Sequence, residues 1–373
     1  MIRVLFLIHD LGPGGAEKVL VNLVNNMDRS RFDITVIALF GGGVNEQFLK
    51  PDIHYKVIFK KSFPGNSHVM KLFSPELLHK MVLREHFDIE VSYLEGPSAR
   101  IVSGCPSMET KLVSWIHVEQ KTTAKAARSF RCYREALACY KRFDRTIGVS
   151  NTVKEDFLHL FPLDKPMEVL YNTNESRKVL ALSEEAVEGD LFEPDEIKLV
   201  GVGKILTTKG FDRLARIHVR LRRDGYPVHT YILGTGPQQR EIEKYLEDQD
   251  EQSSYTFLGY QTNPYRYVAR CDLFVCASHA EGFSTAATEA LIVGTPVCTT
   301  EVSGMREMLG EGNEWGIVTQ NNEEALYQGI KRLLDDPALL AYYREKAKER
   351  GKAFSTEKTV RAVEEMMERL VRS

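Results

Sequence analysis

The chain reads as an α/β protein of two domains, each built on a parallel sheet, and three observations lead there. Short apolar runs alternate with helical patterns, and the whole alternation occurs twice. Repeated strand, helix, strand order demands crossover connections, which give parallel sheets covered on both faces. A length of 373 residues exceeds what one hydrophobic core usually supports. Between the two series lies an acidic, weakly patterned stretch, 172–196, with few large apolar residues, as an interdomain linker would have.

The first series has expected strands at 4–8, 34–39, 55–59, 89–93, 111–116, 145–149 and 168–171, with helices between, notably over 16–27 and 119–140. The second has strands at 198–202, 229–233, 255–258, 273–276 and 296–299. Runs bounded by polar residues and apolar throughout suit strands buried on both faces. The closing segment repeats Val360, Val363, Met367 and Leu370 at helical spacing after Ser355, so an amphipathic helix is expected there.

Composition narrows the class. Hydrophobic residues make up 43% and charged residues 27%, which fits a globular enzyme, and a net charge of −3 gives no drive toward nucleic acid. The apolar run of MIRVLFLIHDLG is too short for a signal peptide and no stretch reaches the length of a membrane span, so a cytoplasmic location is expected. Six cysteines and ten histidines show no zinc-like spacing. Reduced thiols are expected, and no metal site.

The most informative stretch is SHAEGFSTAATEALIVGTP, residues 278–296. It sets Glu281 on the loop at a strand's carboxyl end and Glu289 about a turn into the following helix. A helix opening near Ser284 turns unpaired NH groups and partial positive charge toward the same crevice, a place for phosphate. An acceptor-only carboxylate at Glu289 can hold a ribose diol. Glu, seven residues, Glu, flanked by AEGF and GTPV, resembles the signature of the retaining glycosyltransferases of family 4 (group 1). The resemblance, which covers nearly the whole chain, implies the GT-B fold: two Rossmann-like domains with parallel sheets facing across a cleft. It also implies an acceptor-side domain over 1–175, a linker at 176–197, a donor-nucleotide domain over 198–355, and a helix over 356–373 that crosses back to the first domain.

Other motifs are read beside it. HDLGPGGAEK supplies Gly12, Gly14 and Gly15 between a strand and a helix, but Glu17 stands where a dinucleotide fingerprint needs its third glycine, which disfavours a nicotinamide enzyme. The GGAE turn resembles the family's first loop, which implies that Gly14 and Gly15 approach the donor. Lys204 and Lys209 lie in GVGKILTTKGF between a strand and a helix, where a cation opposes the helix dipole. The resemblance makes this pair the neutralisers of the departing diphosphate, with lysine at 204 where arginine is usual, so its bidentate fork is lost. His117, a lone histidine past a strand, would hydrogen-bond the donor sugar. Gly234, in a GxGP loop, and Gly259 with Tyr260 would lie near the nucleotide; each is equally readable as a turn. Gly282, Phe283 and Ser284 complete the expected donor-binding set. The triplet Asp248–Asp250 reads as a polar helix end.

After His117, Lys121, Lys125, Arg128, Arg131, Arg134, Lys141, Arg142 and Arg145 interleave with Phe130, Tyr133, Tyr140 and Phe143. Such a stripe suits either anionic lipid at the inner face of a membrane or a solvated face with snorkelling side chains. The function implied is a retaining, metal-independent glycosyltransferase that moves a hexose or N-acetylhexosamine from a UDP-sugar to a glycan or lipid-linked acceptor in bacterial surface polysaccharide or glycolipid synthesis. A nucleotide-sugar is the donor and no cofactor is required. Two other readings stay open: a nucleotide-sugar epimerase of the same architecture, and a non-catalytic partner subunit.

Overall fold

A computed structural model describes residues 1–62, 65–189 and 191–372; Asp190 of the acidic stretch and the last residue, Ser373, fall outside these. The chain divides into two compact units, one of Met1–Thr173 with Thr356–Ser373, the other of Asn174–Ser355.

In the first unit, seven strands run parallel: β1 (Ile2–Ile8), β2 (Phe32–Phe40), β3 (His54–Phe59), β4 (Ile89–Ser92), β5 (Lys111–Ile116), β6 (Arg145–Gly148) and β7 (Met167–Val169). Their order in space is β3-β2-β1-β4-β5-β6-β7. Val4 lies between Ile34 and Ile89, so the centre of the sheet is a row of branched aliphatics with no exposed face. The order reverses between β1 and β4. At such a switch point the helices leaving the two strands go to opposite faces and a crevice opens at the carboxyl ends.

The second unit repeats the plan with β8 (Ile197–Val202), β9 (Val228–Leu233), β10 (Tyr255–Gly259), β11 (Leu273–Cys276), β12 (Val297–Thr300) and β13 (Ile317–Thr319), ordered β10-β9-β8-β11-β12-β13 and all parallel. Its switch point lies between β8 and β11. The sixth strand, β13, is not anticipated by the sequence, because three residues give too little pattern to mark one.

Two segments differ from their sequence reading. The acidic stretch expected to be a linker holds the helix Ser176–Ser183, whose Val179 and Leu182 pack on Tyr265, Ile292 and Val293 of the second unit. Its apolar side is only two residues wide and is hidden among the charges. The helix expected over 119–140 is two helices, Thr123–Ala126 and Tyr133–Arg142. Lys121 has φ 62, which no helix tolerates, and Thr122 then caps the new start through the Lys125 NH.

The helix Thr356–Arg372 belongs to the first unit. Val360, Val363, Met366, Met367 and Leu370 are buried. The buried carboxylate of Glu364 accepts from the backbone NH of Asp28 at 2.7 Å and from Arg31 at 3.1 Å, so it is compensated. Met367→Ala should therefore destabilise the first unit by about 2–5 kcal/mol, read as a lowered denaturant midpoint at unchanged slope.

Candidate active site

The second unit gathers the sequence-selected residues at the carboxyl ends of β8 to β11. Lys209 ends the turn Thr207–Lys209 after β8, and Gly210 follows with φ 66. A Cβ on Gly210 would stand 2.0 Å from the carbonyl oxygen of Ala277, just past β11. The two loops are thus in backbone contact, fastened further by the His279 NH on the Thr208 carbonyl at 2.8 Å. The approach brings Lys209 Nζ to 2.5 Å from Glu281 Oε1. The Ser278 hydroxyl donates to the same oxygen at 2.7 Å. Oε2 of Glu281 has no hydrogen bond among the described residues and remains available to a hydroxyl.

Lys204 is exposed, and its side chain makes no hydrogen bond or ion pair among the described residues. Gly234 follows β9 at φ 145, and a Cβ there would lie 1.9 Å from the Gly203 carbonyl oxygen. Glycine at 234 is therefore demanded by the packing of the Lys204 loop. Gly259 closes β10, and Tyr260 beside it is 73% exposed.

After β11, Gly282, Phe283 and Ser284 are buried, and Ser284 caps the helix Thr285–Val293 by accepting from the Ala287 NH. The amides of that first turn lie at the positive end of the helix. Glu289 is buried within it, and the Tyr265 hydroxyl donates to its Oε1 at 3.1 Å.

The first unit holds the remaining candidates, Gly14 past β1 at the switch point and His117 past β5, one strand beyond it. Gly14 is the extended cap of the helix Gly15–Asn26 and offers no side-chain bond to the first-turn amides. His117 follows β5. It is buried, and its backbone NH donates to Glu95 Oε2 at 3.2 Å. Burial pushes its imidazole down to about 3, against a hydrogen bond to the Tyr93 backbone, so the ring is neutral at ordinary pH. Because Nε2 meets no hydrogen-bond partner among the described residues, the contact with the Tyr93 backbone assigns the ring proton to Nδ1 and the lone pair to Nε2. That Nε2 is buried. It can only accept.

Sequence reading missed several supporting groups. Ser278 and Tyr265 orient the two glutamates. The buried guanidinium of Arg213 holds His279 and donates to Asn321 at 2.9 Å, which fixes the Glu281 loop. Glu95, whose carboxyl is raised by burial, receives the Gln120 amide at 3.0 Å. Only Ser278 had a signal, its place in the 278–296 motif; the others arrive from distant segments. His79, Glu90 and Cys105 also come together in the core of the first unit, with His79 2.9 Å from Glu90. Their sequence spacing does not announce this cluster, the one group among the described residues whose potential ligand atoms lie close enough together to hold a metal ion.

The basic stripe resolves in part. Phe130, Tyr140 and Phe143 are buried in the core and Tyr133 stacks on Phe161, so the aromatics do not face out. Arg131 and Arg142 are spent on backbone carbonyls, and Lys141 pairs with Asp164.

Two parallel-sheet, Rossmann-like units are the GT-B architecture, and solved structures agree in fold. Anabaena HepE in complex with UDP and glucose matches with TM-score 0.76 at 18% identity, over 99% of this chain and 100% of that one. Sucrose-phosphate synthase from Thermosynechococcus elongatus matches with TM-score 0.77 at 15% identity, over 99% of each chain. Residues 183–350 match the glycosyl transferases group 1 and residues 13–173 match Glycosyltransferase Family 4. The chain belongs to this family and is a glycosyltransferase. It is 28% identical, over 95% of its length and 96% of the relative's, to the N-acetylgalactosamine-N,N'-diacetylbacillosaminyl-diphospho-undecaprenol 4-alpha-N-acetylgalactosaminyltransferase of Campylobacter jejuni. It is 22% identical to the lipopolysaccharide core biosynthesis glycosyltransferase LpsD of Rhizobium meliloti, over 89% of this chain and 88% of that one.

The His117 geometry has a direct check. Nitrogen NMR should find the neutral, Nδ1-protonated ring unchanged between about pH 8 and pH 5, whereas an ordinary imidazole titrates near 6.5 within that window. A midpoint there would contradict the buried, acceptor-only assignment.

Proposed function

We propose that the chain is a retaining, metal-independent transferase that moves a hexose or N-acetylhexosamine from a UDP-sugar to a hydroxyl of a lipid-linked or glycan acceptor, in the building of a bacterial surface polysaccharide or glycolipid. The observation that carries the reading is the convergence of Lys204, Lys209, Glu281 and the Thr285–Val293 helix start at the β8/β11 switch point. Loss of a nucleotide diphosphate leaves negative charge on the leaving group, and cations with oriented amides are what stabilise it.

In this reading Lys204 and Lys209 take the diphosphate oxygens together with the first-turn amides of the Thr285–Val293 helix. Lys209 has three N–H donors and gives one to Glu281, so two remain for phosphate. Glu281, held through Oε1, receives a sugar hydroxyl on Oε2. Glu289, oriented by Tyr265, holds the ribose diol. Gly14 and Gly15 present backbone to the donor, and Gly259 with Tyr260 flanks the base. His117, with a lone pair on Nε2, accepts from a sugar hydroxyl and is not a general base, since its conjugate acid is too strong to hold a proton. The Campylobacter relative, named for transfer of N-acetylgalactosamine to a saccharide on diphospho-undecaprenol, supports a lipid-linked acceptor, and HepE crystallised with UDP supports the uridine donor.

The test is incubation with UDP-sugars and undecaprenyl-diphosphate-linked saccharides. Transfer yields UDP and a lengthened glycan with the α or β configuration of the donor kept; a new nucleotide-sugar without acceptor extension would identify an epimerase, and neither product a partner subunit. Activity should persist in EDTA. Lys209→Ala should lower kcat by about 10²-fold with a smaller change in donor affinity. Glu289→Ala should raise the donor Kd roughly tenfold or more, and Tyr265→Phe should raise it less, as measured by calorimetry. Unchanged constants in all three variants would remove the assigned roles.

A further inference from the structure

Glu90 is the second residue of β4, paired with Leu5 on one side and Leu112 on the other, and it is 2% exposed. A carboxylate at the centre of a parallel sheet has left water and must find strong partners inside the protein. Two come from outside the sheet. The helix Pro75–Val82 brings His79, whose Nε2 stands 2.9 Å from Glu90 Oε2. The turn after the helix Pro97–Val102 brings Cys105, whose Sγ lies 3.7 Å from Oε1 of the same carboxylate. The approach is built into the backbone: a Cβ on Gly104 would stand 2.0 Å from the Pro75 carbonyl oxygen, so glycine is what lets the Cys105 turn reach the His79 helix. Arg142 fixes that turn by donating to the carbonyls of Ser103 and Cys105, the latter at 2.7 Å. An ion pair of His79 and Glu90 alone would need neither the thiol nor this clasp.

Donor chemistry and spacing name the ligand. A nitrogen, a sulfur and a carboxylate oxygen all lie within 4.8 Å of one another. Tetrahedral Zn²⁺, with bonds of about 2.0–2.3 Å, sets its ligand atoms roughly 3.3–3.6 Å apart. The 2.9 and 3.7 Å contacts bracket that spacing. Both oxygens of Glu90 face the group, so a bidentate carboxylate closes the fourth position without water. A thiolate beside an imidazole suits Zn²⁺ and disfavours Mg²⁺ and Ca²⁺, which take oxygen ligands. Charge agrees: one thiolate and one carboxylate carry two negative charges, and a divalent ion leaves the buried group neutral. On binding, Cys105 gives its proton to solvent and His79 presents the Nε2 lone pair.

We propose that His79, Glu90 and Cys105 form a structural Zn²⁺ site that clamps the helix Pro75–Val82 and the turn after Pro97–Val102 onto β4. The ion takes no part in sugar transfer, because Glu90 lies near the amino end of β4 whereas His117 follows the carboxyl end of β5. Its release requires local opening of the first unit, so EDTA present only during an assay leaves the site filled.

The full chain, purified under reducing conditions from medium containing Zn²⁺, is to be assayed for metal by mass spectrometry beside Cys105→Ser and His79→Gln. Expected are about one zinc per chain and a roughly tenfold lower content in each variant. Chain stripped by long dialysis against a chelator is then titrated with Co²⁺. A thiolate-to-cobalt charge-transfer absorption should develop, persist in Cys132→Ser, which removes the exposed thiol, and vanish in Cys105→Ser. A hydrogen-bonded core cluster gives no such signal. Zn²⁺ should also raise the thermal midpoint of the stripped chain and leave that of Cys105→Ser where it is. Circular dichroism reports whether the variants are folded, and were Cys105→Ser to unfold, the band in stripped Cys132→Ser decides alone. Two results would overturn the proposal: a stripped chain that takes up Co²⁺ without the charge-transfer band or not at all, or a band that folded Cys105→Ser retains or that Cys132→Ser abolishes.

Discussion

Close backbone approach at the carboxyl ends of β8, β9 and β11 is the constraint from which the candidate active site follows. Gly210 lies against the Ala277 carbonyl and Gly234 against that of Gly203, at distances that leave no room for a side chain. With these loops pressed together, Lys209 reaches Glu281, and the ion pair sits where the strand order reverses. A larger residue at either position would push the lysine turn away from the glutamate loop. The chemistry of the second unit is thus set by what is missing from two residues as much as by the charges displayed.

A second regularity is that the functional side chains are already tied on one side. Glu281 uses Oε1 for Lys209 and Ser278, Glu289 is fastened to Tyr265, and His117 gives Nδ1–H to the backbone of Tyr93. Each bond removes rotamer freedom before a substrate arrives, so less order has to be created on binding. The tie on His117 also decides its chemistry, because a donor hydrogen spent on a carbonyl leaves a lone pair as the only thing to offer.

Much of this was legible in the chain itself. The parallel architecture followed from alternating apolar runs, since strands buried on both faces carry a dense local signal. Family membership followed from Glu281, Glu289 and their flanks, and the fold from both. What stayed hidden has a common cause. Tyr265, Arg213 and Glu95 act through contacts with residues far along the chain, and no local pattern encodes a partner that arrives from another strand. The break at Lys121 was hidden because a left-handed residue other than glycine leaves no compositional mark. The burial of the aromatics in the basic stripe was hidden for a related reason: interleaved ring and charge look the same whether rings point to lipid or to the core.

The helix Thr356–Arg372 bears on how the molecule is made. It supplies apolar cover and the Glu364 carboxylate to a unit whose other residues were translated before the whole of Asn174–Ser355. While the nascent chain is still on the ribosome, Asp28 and Arg31 wait without their carboxylate and part of the first unit's core is open to water. The second unit can mature from its own residues during synthesis; the first cannot. Biogenesis therefore runs against chain order at its last step, and exposure of an unfinished first domain to chaperones is written into the connectivity.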